Sequence, residues 1–382
     1  MILTGNEYEC CGCSACASIC GHSAIEMKAD ALGFRYPEVD ASKCVECGLC
    51  ERVCAFQSER TKTETEPSSA FAVRHKDLRE VETSRSGAAF IALSDWILDA
   101  GGSVYGAGYG EHFMVRHKRA ADKGSRDEFK GSKYAQSRLD GIFEEVRSDL
   151  KAGKPVLFSG TPCQTAAVRS FMPAGLQERL YLIDIICHGV SSPAVWDDYL
   201  NYLEEKERQS IVKVDFRDKS IFGWSGLHKE SFVFEDGVKR TFQYTYYNDI
   251  VIRSSCSACP YASLDRPSDI TIGDFWGWEK ACPTFNEDDK GCSMVLMNSV
   301  KGKELFEKVG SELHVMEVPL SMCMQPNLQR PTPESPLRGR FEADYAKKGF
   351  RYVMNRYGEV GIRYHFRRAM RLAGRLIKKF MK

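Results

Sequence analysis

From residue 154 onward, the chain alternates between short apolar runs and longer stretches with helical spacing. PVLF (155–158) leads into SGTPCQTAAVRSF (159–171), and YLIDIIC (181–187) leads into HGVSSPAVWDDYLNYL (188–203). Short continuous apolar runs bounded by turn residues are typical of buried strands. The order strand–helix–strand–helix therefore predicts a mixed α/β body. Further strands are predicted at residues 70–73, 211–216, 232–234, 269–272 and 293–297.

The stretch before residue 154 predicts one helix and one pair of strands. An apolar helix is expected to begin at Ser86 and to end before the glycine pair at 101–102. The glycines of GGSVYGAGYG (101–110) resemble a dinucleotide-binding fingerprint, but that fingerprint requires a helix directly after its glycines. We interpret residues 104–105 and 113–117 instead as two strands paired across a turn.

Cysteine content and spacing indicate the chemistry. The chain has 16 cysteines, and its N-terminus shows no basic patch followed by an apolar run, so we expect no secretory signal. In a reducing compartment, clustered cysteines point to metal or redox chemistry rather than to disulfides. The spacing C-x2-C-x2-C-x3-C, typical of bacterial ferredoxins with two [4Fe–4S] clusters, occurs twice. Its members are Cys10, Cys13, Cys16 and Cys20, then Cys44, Cys47, Cys50 and Cys54.

In this arrangement three thiolates of one loop bind one cluster and the fourth ligand comes from the other repeat. We therefore predict one cluster on Cys10, Cys13, Cys16 and Cys54, and the other on Cys44, Cys47, Cys50 and Cys20. Zinc ribbons use two separated cysteine pairs, so the spacing disfavours a pair of zinc sites. The proline that usually follows the fourth cysteine is replaced by Gly21 and Ala55, and Cys11 is a spare thiol beside the cluster.

Four later cysteines predict a third [4Fe–4S] cluster: Cys163, Cys187, Cys256 and Cys259. Thr161 and Gln164 form a capping box around Pro162, which places Cys163 in the first turn of a helix, where the helix dipole favours a thiolate. The alternatives are that Cys187 is a small buried apolar residue and that Cys163 is a reactive thiol facing a flavin. Cys282, Cys292 and Cys323 are expected to be core or loop residues.

These features predict an α+β organisation, in which a small ferredoxin-like domain with two [4Fe–4S] clusters precedes the mixed α/β body. The predicted boundaries are a head at 1–57, a polar linker at 58–69, two parts of one body at 70–153 and 154–330, and a basic amphipathic tail at 331–382.

Charge is distributed unevenly. Residues 340–382 hold 13 Lys or Arg against 3 Asp or Glu, which leaves the preceding chain with a net charge of −9. An acidic body argues against nucleic-acid binding. Apolar residues at helical spacing from Ile362 to Phe380, with basic residues and no acidic residue between them, predict a helix that contacts an anionic membrane surface. The alternatives are docking to a partner or to the protein's own acidic body. We expect a cytoplasmic protein, or one held peripherally on the inner face of the membrane.

Beyond the cysteine motifs, the chain resembles the coenzyme F420 hydrogenase/dehydrogenase β-subunit family. The resemblance extends to about residue 330 and is carried by SRSGAAF (84–90), GSKYAQS (131–137), SGTPCQTAAV (159–168), CHGVSSP (187–193), CSACP (256–260) and DITIGDFWG (269–277). It implies FAD in the body beside an iron–sulfur cluster, with electrons exchanged with a ferredoxin or a redox partner subunit. Carried over by motif, the flavin contacts are Ser84, Ser86, Gly87, Ser132, Lys133, Tyr134, Thr161 and Gln164.

Two of the motif residues are candidates for the chemistry itself. Lys133 would pair with a phosphate or with the N1 side of the flavin, and His188 would donate a proton near the ring or the substrate. The alternatives are a solvated surface lysine and a structural histidine, and Asp274 is expected to tie loops together. Ser86-Gly87 is alternatively a simple helix cap.

The resulting prediction is an FAD- and iron–sulfur-dependent oxidoreductase that exchanges a hydride with a small molecule, coenzyme F420 or another. No residue pattern identifies a deazaflavin pocket. The alternative is a non-catalytic electron-transfer subunit of a larger redox complex.

Overall fold

The computed structural model describes residues 7–57, 69–226, 228–242 and 249–358. The strands are β1 (Ile25–Ala29), β2 (Arg35–Val39), β3 (Ser69–His75), β4 (Ser103–Tyr109), β5 (Val115–Ala120), β6 (Val156–Gly160), β7 (Leu180–Ile185), β8 (Ile211–Asp215), β9 (Glu230–Phe234), β10 (Lys239–Phe242), β11 (Ile270–Asp274), β12 (Ser293–Met297) and β13 (Leu313–Val318).

The helices are α1 (Ala15–Ile19), α2 (Leu49–Arg52), α3 (Leu78–Thr83), α4 (Ala89–Asp99), α5 (Lys123–Arg126), α6 (Ile142–Lys151), α7 (Pro162–Phe171), α8 (Pro193–Glu207), α9 (Lys219–Phe222), α10 (Trp278–Ala281), α11 (Val300–Lys308) and α12 (Arg338–Tyr357). Within the described ranges, no helix is both long and apolar enough to span a bilayer.

One mixed sheet forms the centre of the body, in the order β13-β3-β12-β11-β7-β6-β4-β5. Strands β4, β6, β7 and β11 are parallel neighbours, whereas the pairs on either side of them are antiparallel. The predicted strand pair is confirmed, since β4 and β5 are antiparallel with Tyr109 opposite Val115. A separate three-stranded antiparallel sheet holds β8, β9 and β10. The predicted mixed α/β body is therefore confirmed.

The central strands are apolar throughout because both of their faces are covered. In β6, Val156 and Phe158 pack into the apolar cluster around α6 and α7, whereas Leu157 packs into the cluster around α4. In β7, Leu182 and Ile183 divide between the same two clusters. Successive side chains of a strand point to opposite faces, so a strand covered on both sides needs a continuous apolar run.

The head consists of the β1–β2 hairpin and the short helices α1 and α2, and it packs directly against the body. Leu32 and Phe34, in and after the hairpin turn, are buried in the same apolar cluster as Trp196 of α8. Gly33 has φ +77, and a Cβ there would lie 2.9 Å from the backbone nitrogen of Ala194. The sequence reasoning did not predict this hairpin.

Three predicted boundaries need correction. The helix expected from Ser86 begins at Ala89, because Gly87 extends the preceding segment alongside β3. The linker was expected to end at residue 69, but Ser69 already belongs to β3. The rest of the expected linker, residues 58–68, lies outside the described residues. Part of the expected tail belongs to the body, because α12 packs Phe350 against Tyr199 of α8 with ring centroids 6.3 Å apart. The amphipathic segment from Ile362 onward lies outside the described residues.

Candidate functional site

The carboxyl ends of the parallel strands form one edge of the sheet, and most of the predicted site residues lie along it. Cys163 is in the first turn of α7 after β6, Cys187 lies two residues beyond the end of β7, and Asp274 is the last residue of β11. Open α/β sheets bind their ligands at this edge, where loops and helix starts converge.

The four body cysteines line one cavity that opens to solvent. Cys163 and Cys187 reach it from the strand ends, whereas Cys256 and Cys259 reach it from the turn at residues 254–258 and the residue that follows it. Burial raises the pKa of Cys256 to about 11 and that of Cys259 to about 12, and the charges of neighbouring cysteines contribute to both shifts. The structure thus brings together four close, half-buried, unbridged thiols.

Such a donor set fits a [4Fe–4S] cluster, because each thiolate binds a different iron of the cube. In the part of the chain that the structure describes, no three His, Cys, Asp or Glu side chains converge tightly enough to hold a single metal ion. That these four cysteines bind a cluster remains a prediction.

In the head, Cys54 lies beside the three cysteines of the first motif rather than those of its own. Burial raises the pKa of Cys54 to about 11, and the charges of Cys13 and Cys10 add to the shift. Burial likewise raises the pKa of Cys16, with contributions from Cys13, Cys10 and Cys54. These four cysteines are the ones that the repeat predicts for one cluster. The grouping of the other four, and cluster binding by either set, stay predictions. We refer to Cys10, Cys13, Cys16 and Cys54 as the inner set.

The outer set consists of Cys20, Cys44, Cys47 and Cys50, and it lies closer to solvent. Cys50 is buried, Cys20 and Cys44 are half-buried, and Cys47 is exposed. The neighbouring Val45 has 58% of its surface exposed. This side of the head is therefore the accessible one.

The inner set contacts the body cysteines through Cys11. Interaction with the thiols of Cys13 and Cys163 raises the pKa of Cys11, and interaction with Cys11 lowers the pKa of Cys163 to about 7. Cys11 also lines the cavity of the body cysteines. Sequence reasoning treated Cys11 as a spare thiol beside one cluster, whereas the structure places it between two sets of cysteines.

Arg253 joins the head to the body at the same place. Its Nε donates to the carbonyl of Cys10 (2.8 Å), its Nη2 to the carbonyl of Arg35 (3.0 Å) and its Nη1 to the side chain of Gln136 (3.1 Å). Gln136 in turn donates to the carbonyl of Cys11 at 2.8 Å. Sequence reasoning missed Arg253, because no local motif marks an arginine whose partners are so distant in sequence.

The predicted flavin residues divide into two groups. Thr161 and Gln164 are engaged in the predicted capping box, with the Thr161 N–H donating to Gln164 Oε1 at 3.0 Å. Ser86 Oγ donates to the carbonyl of Cys292 at 2.7 Å. A Cβ on Gly87 would lie 2.2 Å from the carbonyl oxygen of Val73, so close packing against β3 already requires this glycine.

The second group offers polar atoms in a partly buried setting. Ser84 Oγ is buried and makes no hydrogen bond with the part of the chain that the structure describes. Burial lowers the pKa of Lys133 to about 8, and its ammonium donates to the carbonyls of Lys130 and Gly131 at 3.0 and 3.3 Å. Lys133 is therefore not a solvated surface lysine. Tyr134 receives a hydrogen bond from Arg217, and Ser132 is half-buried.

His188 lies at the rim of the cysteine cavity and is held by two oxygen partners. Its Nε2 is 2.7 Å from Asp249 and its Nδ1 is 3.3 Å from Asn327. The hydrogen bond with Asp249 raises the pKa of His188. Asp274 ties loops together as expected, accepting hydrogen bonds from Arg217 and Trp224. Cys282, Cys292 and Cys323 are buried in an apolar cluster, which confirms them as core residues.

Two family models match the chain, one for each part of this arrangement. Residues 153–321 match the C-terminal family of the coenzyme F420 hydrogenase/dehydrogenase beta subunit, and residues 9–58 match the 4Fe–4S dicluster domain. Among solved structures, the chain is similar to a chain of the xenon-derivatised F420-reducing [NiFe] hydrogenase complex from Methanosarcina barkeri, with 17% sequence identity and a TM-score of 0.46. The match covers 77% of this chain and 92% of that chain. Among curated proteins, none matches significantly.

Proposed function

Because this chain belongs to the coenzyme F420 hydrogenase/dehydrogenase β-subunit family and carries a 4Fe–4S dicluster domain at its head, we propose that it is an iron–sulfur flavoprotein oxidoreductase. In this proposal the head exchanges electrons with a ferredoxin or a redox partner subunit, and the body exchanges a hydride with a small molecule, either coenzyme F420 or another acceptor. Iron–sulfur clusters carry single electrons and a flavin handles one or two, so the pair links one-electron to two-electron chemistry.

The observation that carries the proposal is that Cys11, which lies within the first head motif, lines the same cavity as the four body cysteines. A relay needs its stations close together, and here the two sets of cysteines share a single intervening side chain. The inner set would hold one head cluster, the outer set the other, and Cys163, Cys187, Cys256 and Cys259 the third. The exposed side of the head at Cys47 is where a redox partner would dock.

Some of the predicted body residues fit an anionic, ring-containing cofactor, and others do not. Within the described ranges, the buried hydroxyl of Ser84 makes no hydrogen bond. Lys133 is a partly buried cation that donates to two backbone carbonyls. Ser84, Lys133 and Tyr134 would therefore bind and orient FAD. His188, held by Asp249 and Asn327, would keep a proton at Nε2 or Nδ1 beside the cavity. Thr161 and Gln164 would act through the start of α7, since their side chains are engaged in the cap.

The alternative, a non-catalytic electron-transfer subunit, is favoured by one specific observation. Ser86, Thr161 and Gln164, three of the predicted flavin contacts, already use their side chains in bonds within the protein. A chain that only transfers electrons would need the three sets of cysteines but no flavin.

Anaerobic purification followed by iron, sulfide and flavin analysis tests the proposal. Three clusters give about 12 iron and about 12 sulfide per chain, and two clusters give about 8. The variant with Cys256→Ser and Cys259→Ser is expected to lose about four iron atoms, whereas the buried control Cys292→Ala keeps them all. Bound FAD with reduction of coenzyme F420 or another small acceptor supports the enzyme. Intact clusters without flavin or turnover support the relay, and a sulfide-free protein contradicts both.

A further inference from the structure

Three basic side chains from different segments converge near the carboxyl end of β11. Arg85 follows α3, Arg217 follows β8 with φ +55, and Lys219 is the first residue of α9. Burial and the charge of Arg217 lower the pKa of Arg85, and burial and the charge of Arg85 lower the pKa of Lys219 to about 7. We call Arg85, Arg217 and Lys219 the basic cluster.

The partners of the basic cluster leave buried N–H groups unused. Arg217, with only 6% of its surface exposed, donates from Nη1 to Asp274 (2.6 Å) and Tyr134, but its Nε and Nη2 make no hydrogen bond with any residue that the structure describes. Arg85 donates from Nη1 to the carbonyl of Phe216 at 3.3 Å, and its Nε likewise has no partner. Buried donors normally find acceptors, so unpaired guanidinium N–H groups call for a ligand that supplies oxygen atoms.

Negative charge around the basic cluster is smaller than its positive charge. Lys219 donates to the carbonyls of Lys290 (2.6 Å) and Val81, and no carboxylate is among these hydrogen-bond partners. Asp274 is the carboxylate that pairs directly with Arg217. Asp215 is the second carboxylate near the three basic groups, and burial raises the pKa of its carboxyl.

An exposed aromatic surface borders the basic cluster. The indole of Trp276, 37% exposed, lies 5.2 Å from the guanidinium carbon of Arg217 and stacks on Trp224 at 4.7 Å between ring centroids. His228 lies on the same indole, with ring centroids 5.8 Å apart. A cationic group beside an accessible ring suits a ligand that joins an anionic group to a flat or apolar moiety.

We propose that Arg85, Arg217 and Lys219 form a phosphate-binding site at the carboxyl edge of the sheet, next to the residues that would hold the flavin. The planar forks of the two arginines match phosphate oxygens, and Lys219 adds charge. The identity of the bound molecule rests on the proposed function. The phosphate belongs either to FAD itself or to a phosphorylated substrate whose ring or sugar lies against Trp276.

The test uses the anaerobically purified full chain, with inorganic pyrophosphate as the probe in titration calorimetry and with its FAD content measured in parallel. Arg85→Gln and Lys219→Gln are each expected to weaken pyrophosphate or FAD binding by about tenfold, the effect of losing one charge-assisted contact. Arg217→Lys, which keeps the charge but loses the fork, should weaken binding less than Arg85→Gln. Arg79→Gln is the matched control, because Arg79 is 88% exposed at the side chain and pairs with Asp77 at the surface.

The two sources of phosphate give different results. If FAD is the source, the variants lose FAD and pyrophosphate binds only to flavin-depleted protein. If a substrate is the source, the variants keep FAD and pyrophosphate binding to the flavin-loaded protein falls. The proposal is overturned if the variants keep their FAD content and their pyrophosphate binding is unchanged or undetectable. This conclusion requires variants whose iron content and melting temperature equal those of the wild type. A wild-type chain without flavin would contradict the proposed function, while the pyrophosphate titration would still decide on the phosphate site.

Discussion

The cysteines of the head and those of the body reach their positions by different routes. In the head, each motif winds its own loop, and both loops place left-handed residues at the same offsets from their first cysteine: Gly12 and Ser14 in one, Glu46 and Gly48 in the other. In the body, the cysteines come from two strand ends and a distant turn. A local motif thus carries its geometry with it, whereas the body site depends on the sheet.

The largest expected difference between the two regions follows iron removal. The head buries few apolar side chains of its own, mainly Met27 with Cys16 and Cys50. Small domains with a metal or cluster gain much of their stability from the ligand bonds. After iron is stripped by a chelator and an oxidant, hydrogen exchange in β1 and β2 should accelerate by roughly 100-fold or more, while β6 and β7 stay protected. Equal protection of β1 and β2 before and after stripping would contradict this difference.

Arg253→Gln should produce the next largest effect, at the junction of the two regions. The arginine is 1% exposed and donates to the head at two carbonyls and to the body at Gln136. Its loss should lower the free energy of unfolding by about 3 kcal/mol, because buried acceptors lose a charged donor. Urea denaturation measures this loss.

The matched control for Arg253 is Arg126→Gln, which removes an equally buried arginine that pairs with Asp95 inside the body. Both variants should lose stability, but only Arg253→Gln should also expose the β1–β2 hairpin to faster hydrogen exchange. Equal hairpin exchange in the two variants would show that Arg253 does not hold the head.

A smaller effect distinguishes equivalent positions of the two head loops. Gly12 has φ +67, and a Cβ there would lie 2.8 Å from Arg253 and 3.0 Å from the carbonyl of Arg35. Gly12→Ala should therefore lower the free energy of unfolding by about 1–2 kcal/mol. Glu46 lies at the matching position of the second loop, with φ +55. Glu46→Gly should therefore change the free energy of unfolding by less than about 1 kcal/mol. Thermal unfolding of both variants measures the contrast, and a Gly12→Ala protein as stable as the wild type would refute it.

The smallest expected effect is the pH dependence of the His188–Asp249 pair. Because the hydrogen bond with Asp249 raises the pKa of His188 above its ordinary 6.5, the pair stabilises the fold fully below about pH 6.5. This stabilisation is lost as the pH rises through the higher pKa of the folded protein. The difference in melting temperature between wild type and His188→Gln should therefore shrink from pH 6 toward alkaline pH, and a difference that grows instead would contradict the assignment.

Local patterns were sufficient for much of the fold and for the head cysteines. The apolar runs at 155–158 and 181–187 predicted β6 and β7, since a strand covered on both faces needs no polar residues. The Thr161–Gln164 capping box was also readable, because both partners lie within one helical turn. The β1–β2 hairpin and the role of α12 were missed, as each is stabilised by packing against α8, which is distant in sequence.

The sequence by itself determined that the head carries two four-cysteine motifs, because ligand spacing along one loop is a short-range property. Only the tertiary structure decided that Cys11 lies between the inner set and Cys163, that Arg253 joins the two regions, and that Arg85, Arg217 and Lys219 meet near Asp274. These contacts join residues far apart in the chain, and they form only when the parallel strands bring their carboxyl ends to one edge.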